Sequence, residues 1–132
     1  MNVVFDTEAL LIFYLDEPGA GKVQDYLEMI QGGEVGGYLN IVNLTEFLYI
    51  LIRRNPDLAV EKERNLRSFG LEIVPVIDDE LWRTAANLKA KHSLSLADAF
   101  AAATAKVKKA KLVTGRDRIY KTAGIPLINI KS

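Results

Sequence analysis

Short unbroken apolar runs alternate along the chain with longer stretches in which apolar residues recur every three or four positions, a pattern that predicts buried strands alternating with amphipathic helices. Val3-Val4-Phe5 is the first run, and Leu10, Leu11, Phe13 and Tyr14 follow at helical spacing. Glu17-Pro18-Gly19 interrupts them, since proline removes a backbone donor and glycine favours a turn. Val23, Tyr26, Leu27 and Ile30 predict a second helix that stops at Gln31-Gly32-Gly33. Tyr38 to Val42 reads as a strand, and Asn43 as the opening of a third helix carrying Phe47, Leu48, Leu51 and Ile52. Asn55-Pro56-Asp57 separates it from a fourth, more charged helix, and Leu71 to Val76 reads as another strand. Asp78-Asp79-Glu80 opens a helix ending near His92, and Ser95 opens an alanine-rich helix that runs to about Val107. Lys111 to Thr114 is the next strand, a short helical turn follows Asp117, and Pro126 to Ile130 is expected as an edge strand.

Strands that alternate with helices imply a parallel sheet covered on both faces, because right-handed crossovers put the helices there. The fold class expected is therefore α/β. At 132 residues the chain is expected to be a single domain over residues 1–132, large enough to bury a core without staples. Its 49% hydrophobic and 26% charged residues are ordinary for a globular protein. Cysteine is absent, so thiolate zinc sites and disulfides are excluded, and any metal must use oxygen ligands or His92. Seventeen basic and seventeen acidic residues cancel, which argues against affinity for nucleic acid through bulk charge and makes any such contact local. Val3-Val4-Phe5 is too short for a secretory signal core, and a cytoplasmic location is expected.

In an open parallel sheet, loops and helix starts converge outside the carboxyl ends of the strands. Asp6 follows the first strand, Glu46 lies early in the helix after the second, and Asp117 follows the Lys111–Thr114 strand. Asp98 begins the helix that leads into that same strand, so its start belongs at the same edge. Each acid taken alone fits a structural alternative: Asn43-x-x-Glu46, Ser95-x-x-Asp98 and Thr114-x-x-Asp117 all resemble helix caps, and Asp6 suits an N-cap. Taken together, four carboxylates in one crevice repel each other unless protonated or neutralised by a cation. Oxygen-only ligation suits Mg²⁺ or Mn²⁺, which keep waters and accept phosphate oxygens.

At these residues the chain resembles the PIN-domain family, and within it the VapC ribonuclease toxins, over essentially its whole length. The resemblance is carried by Val3-Val4-Phe5-Asp6-Thr7, by Asn43-Leu44-Thr45-Glu46, by Ser95-Leu96-Ala97-Asp98-Ala99-Phe100 with the alanines after it, and by Val113-Thr114-Gly115-Arg116-Asp117. It implies an α/β/α sandwich, a Mg²⁺ or Mn²⁺ centre on Asp6, Glu46, Asp98 and Asp117, endonucleolytic cleavage of RNA, a homodimer, and a cognate antitoxin. Family members commonly place the last acid two residues after the threonine; here that position is Arg116, and the carboxylate follows at Asp117. Asp117 thus reads as a ligand, as a group behind the ligands or as a cap, and Thr114 as an orienting hydroxyl or an ordinary cap.

Arg116 and Arg118 flank that acid and either clamp RNA phosphate through a bidentate fork or neutralise the acids. Lys106, Lys108, Lys109 and Lys111 read as a solvated face, with phosphate docking as the alternative. Gly19-Ala20-Gly21-Lys22 lacks the spacing and hydroxyl of a phosphate loop. Val4-Phe5-Asp6-Thr7-Glu8 loosely resembles aspartate-nucleophile phosphatases, whose chemistry wants a second aspartate where Glu8 stands. A receiver domain needs an acidic pair after its first strand and an acceptor aspartate after its third, neither of which is present. The other reading is a PIN fold without catalysis, serving as an RNA-binding or interaction module.

Overall fold

The computed structural model describes residues 1–131. Five parallel strands, β1 (Asn2–Phe5), β2 (Gly36–Asn40), β3 (Glu72–Val74), β4 (Lys111–Thr114) and β5 (Leu127–Asn129), form one sheet in the order β3-β2-β1-β4-β5. Seven helices connect them among the described residues: α1 (Thr7–Tyr14), α2 (Ala20–Gln31), α3 (Ile41–Arg54), α4 (Pro56–Ser68), α5 (Asp79–Lys91), α6 (Leu96–Val107) and α7 (Asp117–Tyr120). The α/β class with a central parallel sheet is as expected from the alternation of patterns.

After Asn2, β1 is unbroken apolar sequence, Val3-Val4-Phe5, because it is covered on both faces. Val3 and Phe5 pack on one side with α1 to α4, whereas Val4 packs on the other with α5, α6 and Tyr120. Its neighbour β4 divides in the same way, Val113 to the first core and Leu112 to the second, as the two-residue period of a strand requires. The pairing of Phe5 with Val113 sets the ends of β1 and β4 level, so whatever follows either strand emerges at one place.

β2 starts earlier than the expected Tyr38, and α3 starts at Ile41, not at Asn43. The strand begins in Gly36-Gly37, which hydrophobic patterning cannot register, and a side chain at Gly37 would collide with Ile30 and Leu71. Asn40 ends it by turning its Oδ1 onto the Val42 backbone N–H at 2.8 Å, an N-cap that competes successfully with the strand preference of Ile41 and Val42. The outer strands β3 and β5 are shorter than their apolar runs suggest. Among the described residues no helix is long and apolar enough to cross a membrane.

Candidate active site

Asp6 is the first residue beyond β1 and is fully buried. Its Oδ1 caps α1 by accepting from the Ala9 backbone N–H at 2.8 Å, and its Oδ2 accepts from the Tyr120 hydroxyl at 3.0 Å. Burial raises its pKa from the ordinary 3.8 to about 6, against the opposing pull of Thr114, Ala9, Arg116 and Tyr120. Asp98, also buried, divides its oxygens likewise. Oδ2 closes a capping box with Ser95 at the start of α6. Oδ1 faces inward, 2.8 Å from Arg116 Nη2 and 3.3 Å from the Tyr120 hydroxyl. Capping and a role in the crevice are therefore not alternatives for these acids, because each uses a different oxygen. Tyr120 spans the two carboxylates with one hydroxyl proton, and burial followed by the charges of Asp6 and Asp98 drives its own pKa far upward.

Arg116 enters this cluster from the β4–α7 loop. Its Nη2 meets Asp98 at 2.8 Å and its Nε lies 3.0 Å from Glu8 Oε2. Burial alone would lower the guanidinium pKa; Asp98, Glu8 and Asp6 outweigh it and hold the pKa above normal. The contact with Glu8 is poorly aligned, leaving Arg116 Nε–H and Glu8 Oε1 buried without a hydrogen-bond partner. Gly115 is what lets the loop come so near, since a Cβ there would sit 2.8 Å from Glu8 Oε1 and from Ile12 Cδ1.

The resulting cleft, about 340 Å³, is lined by Thr7, Glu8, Leu11, Glu46, Ile50, Ser95, Asp98 and Arg116. Asn43 ties its walls together, donating from Nδ2 to Thr7 Oγ1 at 3.1 Å and to the Ala97 carbonyl at 3.0 Å. Because α3 begins at Ile41, Glu46 stands in its second turn, half-buried on the cleft wall. Thr114 is buried beneath Asp6; its hydroxyl bonds that carboxylate and accepts from the Arg116 backbone N–H at 2.9 Å. Asp117 opens α7, half-buried, and does not line the cleft. Arg118 is exposed on the same short helix.

Lys106, Lys109 and Lys111 border a different cavity, of about 560 Å³, with Met1 and Pro126 at the other edge of the sheet. Lys106 lies eight residues beyond Asp98 on α6, roughly 12 Å along the helix axis. His92 caps the end of α5 and pairs with Thr122 at 2.8 Å, outside the cleft. Glu8 and Tyr120 were not among the residues singled out from sequence. Glu8 follows the Asp-x-Glu spacing at a strand-to-helix junction, a signal that was available, whereas nothing local marks Tyr120.

Asp6, Glu8, Asp98 and Glu46 supply only oxygen, the donor type that Mg²⁺ and Mn²⁺ prefer. The group already holds one cation, the Arg116 guanidinium, and retains an unused buried oxygen in Glu8 Oε1. The donor set therefore fits a divalent ion, although with Arg116 inserted no three acids converge on one point among the described residues.

Residues 3–125 match the PIN domain family. In structure the chain is similar to the VapBC2 complex of Rickettsia felis bound to a promoter DNA fragment, with a TM-score of 0.81, 18% identity and 98% of each chain covered. It is also similar to a toxin-antitoxin complex of Klebsiella pneumoniae, at TM-score 0.74, 18% identity and 97% of each chain. A sarcin-ricin loop cleaving VapC toxin of Mycobacterium tuberculosis gives 0.70 at 17% identity, covering 96% of this chain and 98% of that one. Identities this low speak to the fold alone. No curated protein matches the sequence.

Proposed function

The chain belongs to the PIN domain family, and from that premise we propose that it is an endoribonuclease of the toxin kind, hydrolysing RNA phosphodiesters with Mg²⁺ or Mn²⁺ held by Asp6, Glu8, Asp98 and Glu46. The observation that carries this reading is the gathering of Glu8, Glu46 and Asp98 around one cleft at the carboxyl ends of β1 and β4, with Asp6 buried behind it and joined to Asp98 through Tyr120, and a buried Glu8 oxygen left unpaired. A bound divalent ion supplies polarisation of the phosphodiester and screening of the leaving oxygen. The protein's own part is to hold the carboxylates in place before substrate arrives. Ala9, Thr114 and Tyr120 fix Asp6, while Ser95 and Tyr120 fix Asp98. Glu46, outside the reach of those clamps, completes the ligand set from the cleft wall. Asp117 has a supporting role in this scheme, and Arg118, exposed beside the mouth, is a contact for RNA phosphate.

The toxin assignment adds a cognate antitoxin, a homodimer and a cytoplasmic location. The similar folds in toxin-antitoxin complexes support the antitoxin, and a neighbour that cleaves the sarcin-ricin loop supports RNA as the polymer. Exposed Tyr49, Ile52 and Val60 on α3 and α4 offer apolar surface to a partner chain. The second reading, a PIN fold that binds RNA or a protein partner without cutting, is favoured by one observation, the positive Arg116 among the acids. Incubating purified protein with single-stranded RNA and Mn²⁺ separates them. The nuclease reading expects cleavage that stops with EDTA and is lost in Asp6→Asn and Asp98→Asn. RNA retention with no cleavage by the wild type selects the module. Expression is expected to arrest growth, with rescue by a small protein encoded next to it; failure of both removes the toxin assignment and leaves the nuclease.

A further inference from the structure

We propose that Arg116 is a tethered counter-cation that competes with a divalent ion for Glu8 and Asp98, so that the site takes up metal only as the Arg116 side chain leaves. The identity of the incoming cation rests on the nuclease reading; the competition rests on the geometry of the cleft. The guanidinium bridges the two walls, Glu8 on α1 and Asp98 on α6, at 3.0 and 2.8 Å. It neutralises charge that would otherwise be uncompensated at a buried place. Its hold is incomplete. Only the bond to Asp98 is well directed, and both Arg116 Nε–H and Glu8 Oε1 remain unsatisfied. A cation with freely placed coordination positions satisfies Glu8 Oε1 where a planar fork does not.

The side chain has a way out. It is 40% exposed, against 7% for Asp98, so its outer part already borders solvent at the cleft mouth. The backbone stays behind, because the Arg116 N–H is held by Thr114 Oγ1 at 2.9 Å. Departure is therefore a side-chain rotation about a fixed loop. It frees two carboxylates at once and leaves a positive group at the rim, where an RNA phosphate would arrive. A lysine could not bridge both acids in the same manner, but would keep the charge.

Calorimetric titration of metal-free protein with Mn²⁺ tests this without reference to cleavage. Arg116→Gln is expected to bind Mn²⁺ at least roughly tenfold more tightly than wild type, since a positive charge beside the ligands has gone. Arg116→Lys is expected to fall back towards wild type, and Arg64→Gln, exposed on α4 away from the cluster, to match it. In thermal melts with EDTA, Arg116→Gln should unfold at lower temperature than wild type, and Mn²⁺ should raise its Tm more than that of wild type. Equal Mn²⁺ affinity in wild type and Arg116→Gln, whether tight or absent, overturns the proposal. Tighter binding by Arg116→Gln with no RNA cleavage by any form upholds it while removing the nuclease reading. Equal binding with cleavage by wild type does the reverse.

Discussion

Replacing Asp6 by asparagine isolates what it costs this fold to bury a carboxylate. Asp6 has no solvent exposure, and its pKa is raised from 3.8 to about 6, chiefly by burial. Between those values the folded chain keeps a proton that the unfolded chain has released. Stability therefore falls as pH rises through that window and stays at the lower level above about 6. With each pH unit worth about 1.4 kcal/mol, the penalty at neutral pH is roughly 3 kcal/mol. Asparagine has nearly the same shape and no charge; its amide oxygen can accept from Ala9 and its amide N–H can donate to the Tyr120 oxygen. Metal-free Asp6→Asn is thus expected to be more stable than wild type at neutral pH, by up to about 3 kcal/mol, while RNA cleavage is lost. Urea denaturation in EDTA, followed by circular dichroism across the acidic to neutral range, measures both curves. The wild-type curve should decline relative to the variant between pH 3.8 and about 6. Curves that run parallel through the window, or a variant less stable at neutral pH, refute the reasoning.

Tyr120→Phe removes the one hydroxyl shared by Asp6 and Asp98, and is expected to lower stability by about 1.5–3 kcal/mol in chemical denaturation. Glu46→Gln should abolish RNA cleavage in a steady-state assay, whereas Asp117→Asn should change it by no more than a few-fold; equal losses would put Asp117 back among the ligands. Gly115→Ala brings a methyl group within 2.8 Å of Glu8 Oε1 and Ile12 Cδ1, and a loss of about 1–3 kcal/mol is expected from thermal or urea unfolding. Asn43→Ala leaves Thr7 and the Ala97 carbonyl without their donor, for an expected cost of about 2–3 kcal/mol, read in the same experiments.

The architecture was legible because buried parallel strands need unbroken apolar runs and their covering helices need apolar stripes; β1, β4 and α6 satisfy those demands plainly. Asp6 and Asp98 could be placed at one edge from connectivity alone, as each begins the helix next to a central strand. What was hidden depended on contacts between distant segments. Gly36-Gly37 is a strand because it pairs with Asn2 and Val3 of β1, and glycine is needed there because Asn2 crowds the first position and Ile30 and Leu71 the second, facts absent from the local pattern. That strand and the Asn40 cap shift the start of α3, and with it the turn on which Glu46 stands. Glu8 looks like any glutamate easing the positive end of a helix until Arg116 is found against it. For Arg116, sequence left open whether it clamps phosphate or neutralises acids; its ion pairs with Glu8 and Asp98 are the second arrangement. Tyr120 could not be found from sequence, since 114 residues separate it from the Asp6 oxygen it bonds.

That separation has a bearing on biosynthesis. A growing chain carries Asp6, Glu8 and Glu46 before β4, the loop of Arg116 and the Tyr120 hydroxyl are made. Prematurely terminated products ending before β4 would lack the strand that sits level with β1, and with it the clamp on both aspartates. For a polypeptide proposed to cut RNA, the order of synthesis keeps the ribosome that is making it clear of a finished cutting edge until β4 and α7 have emerged.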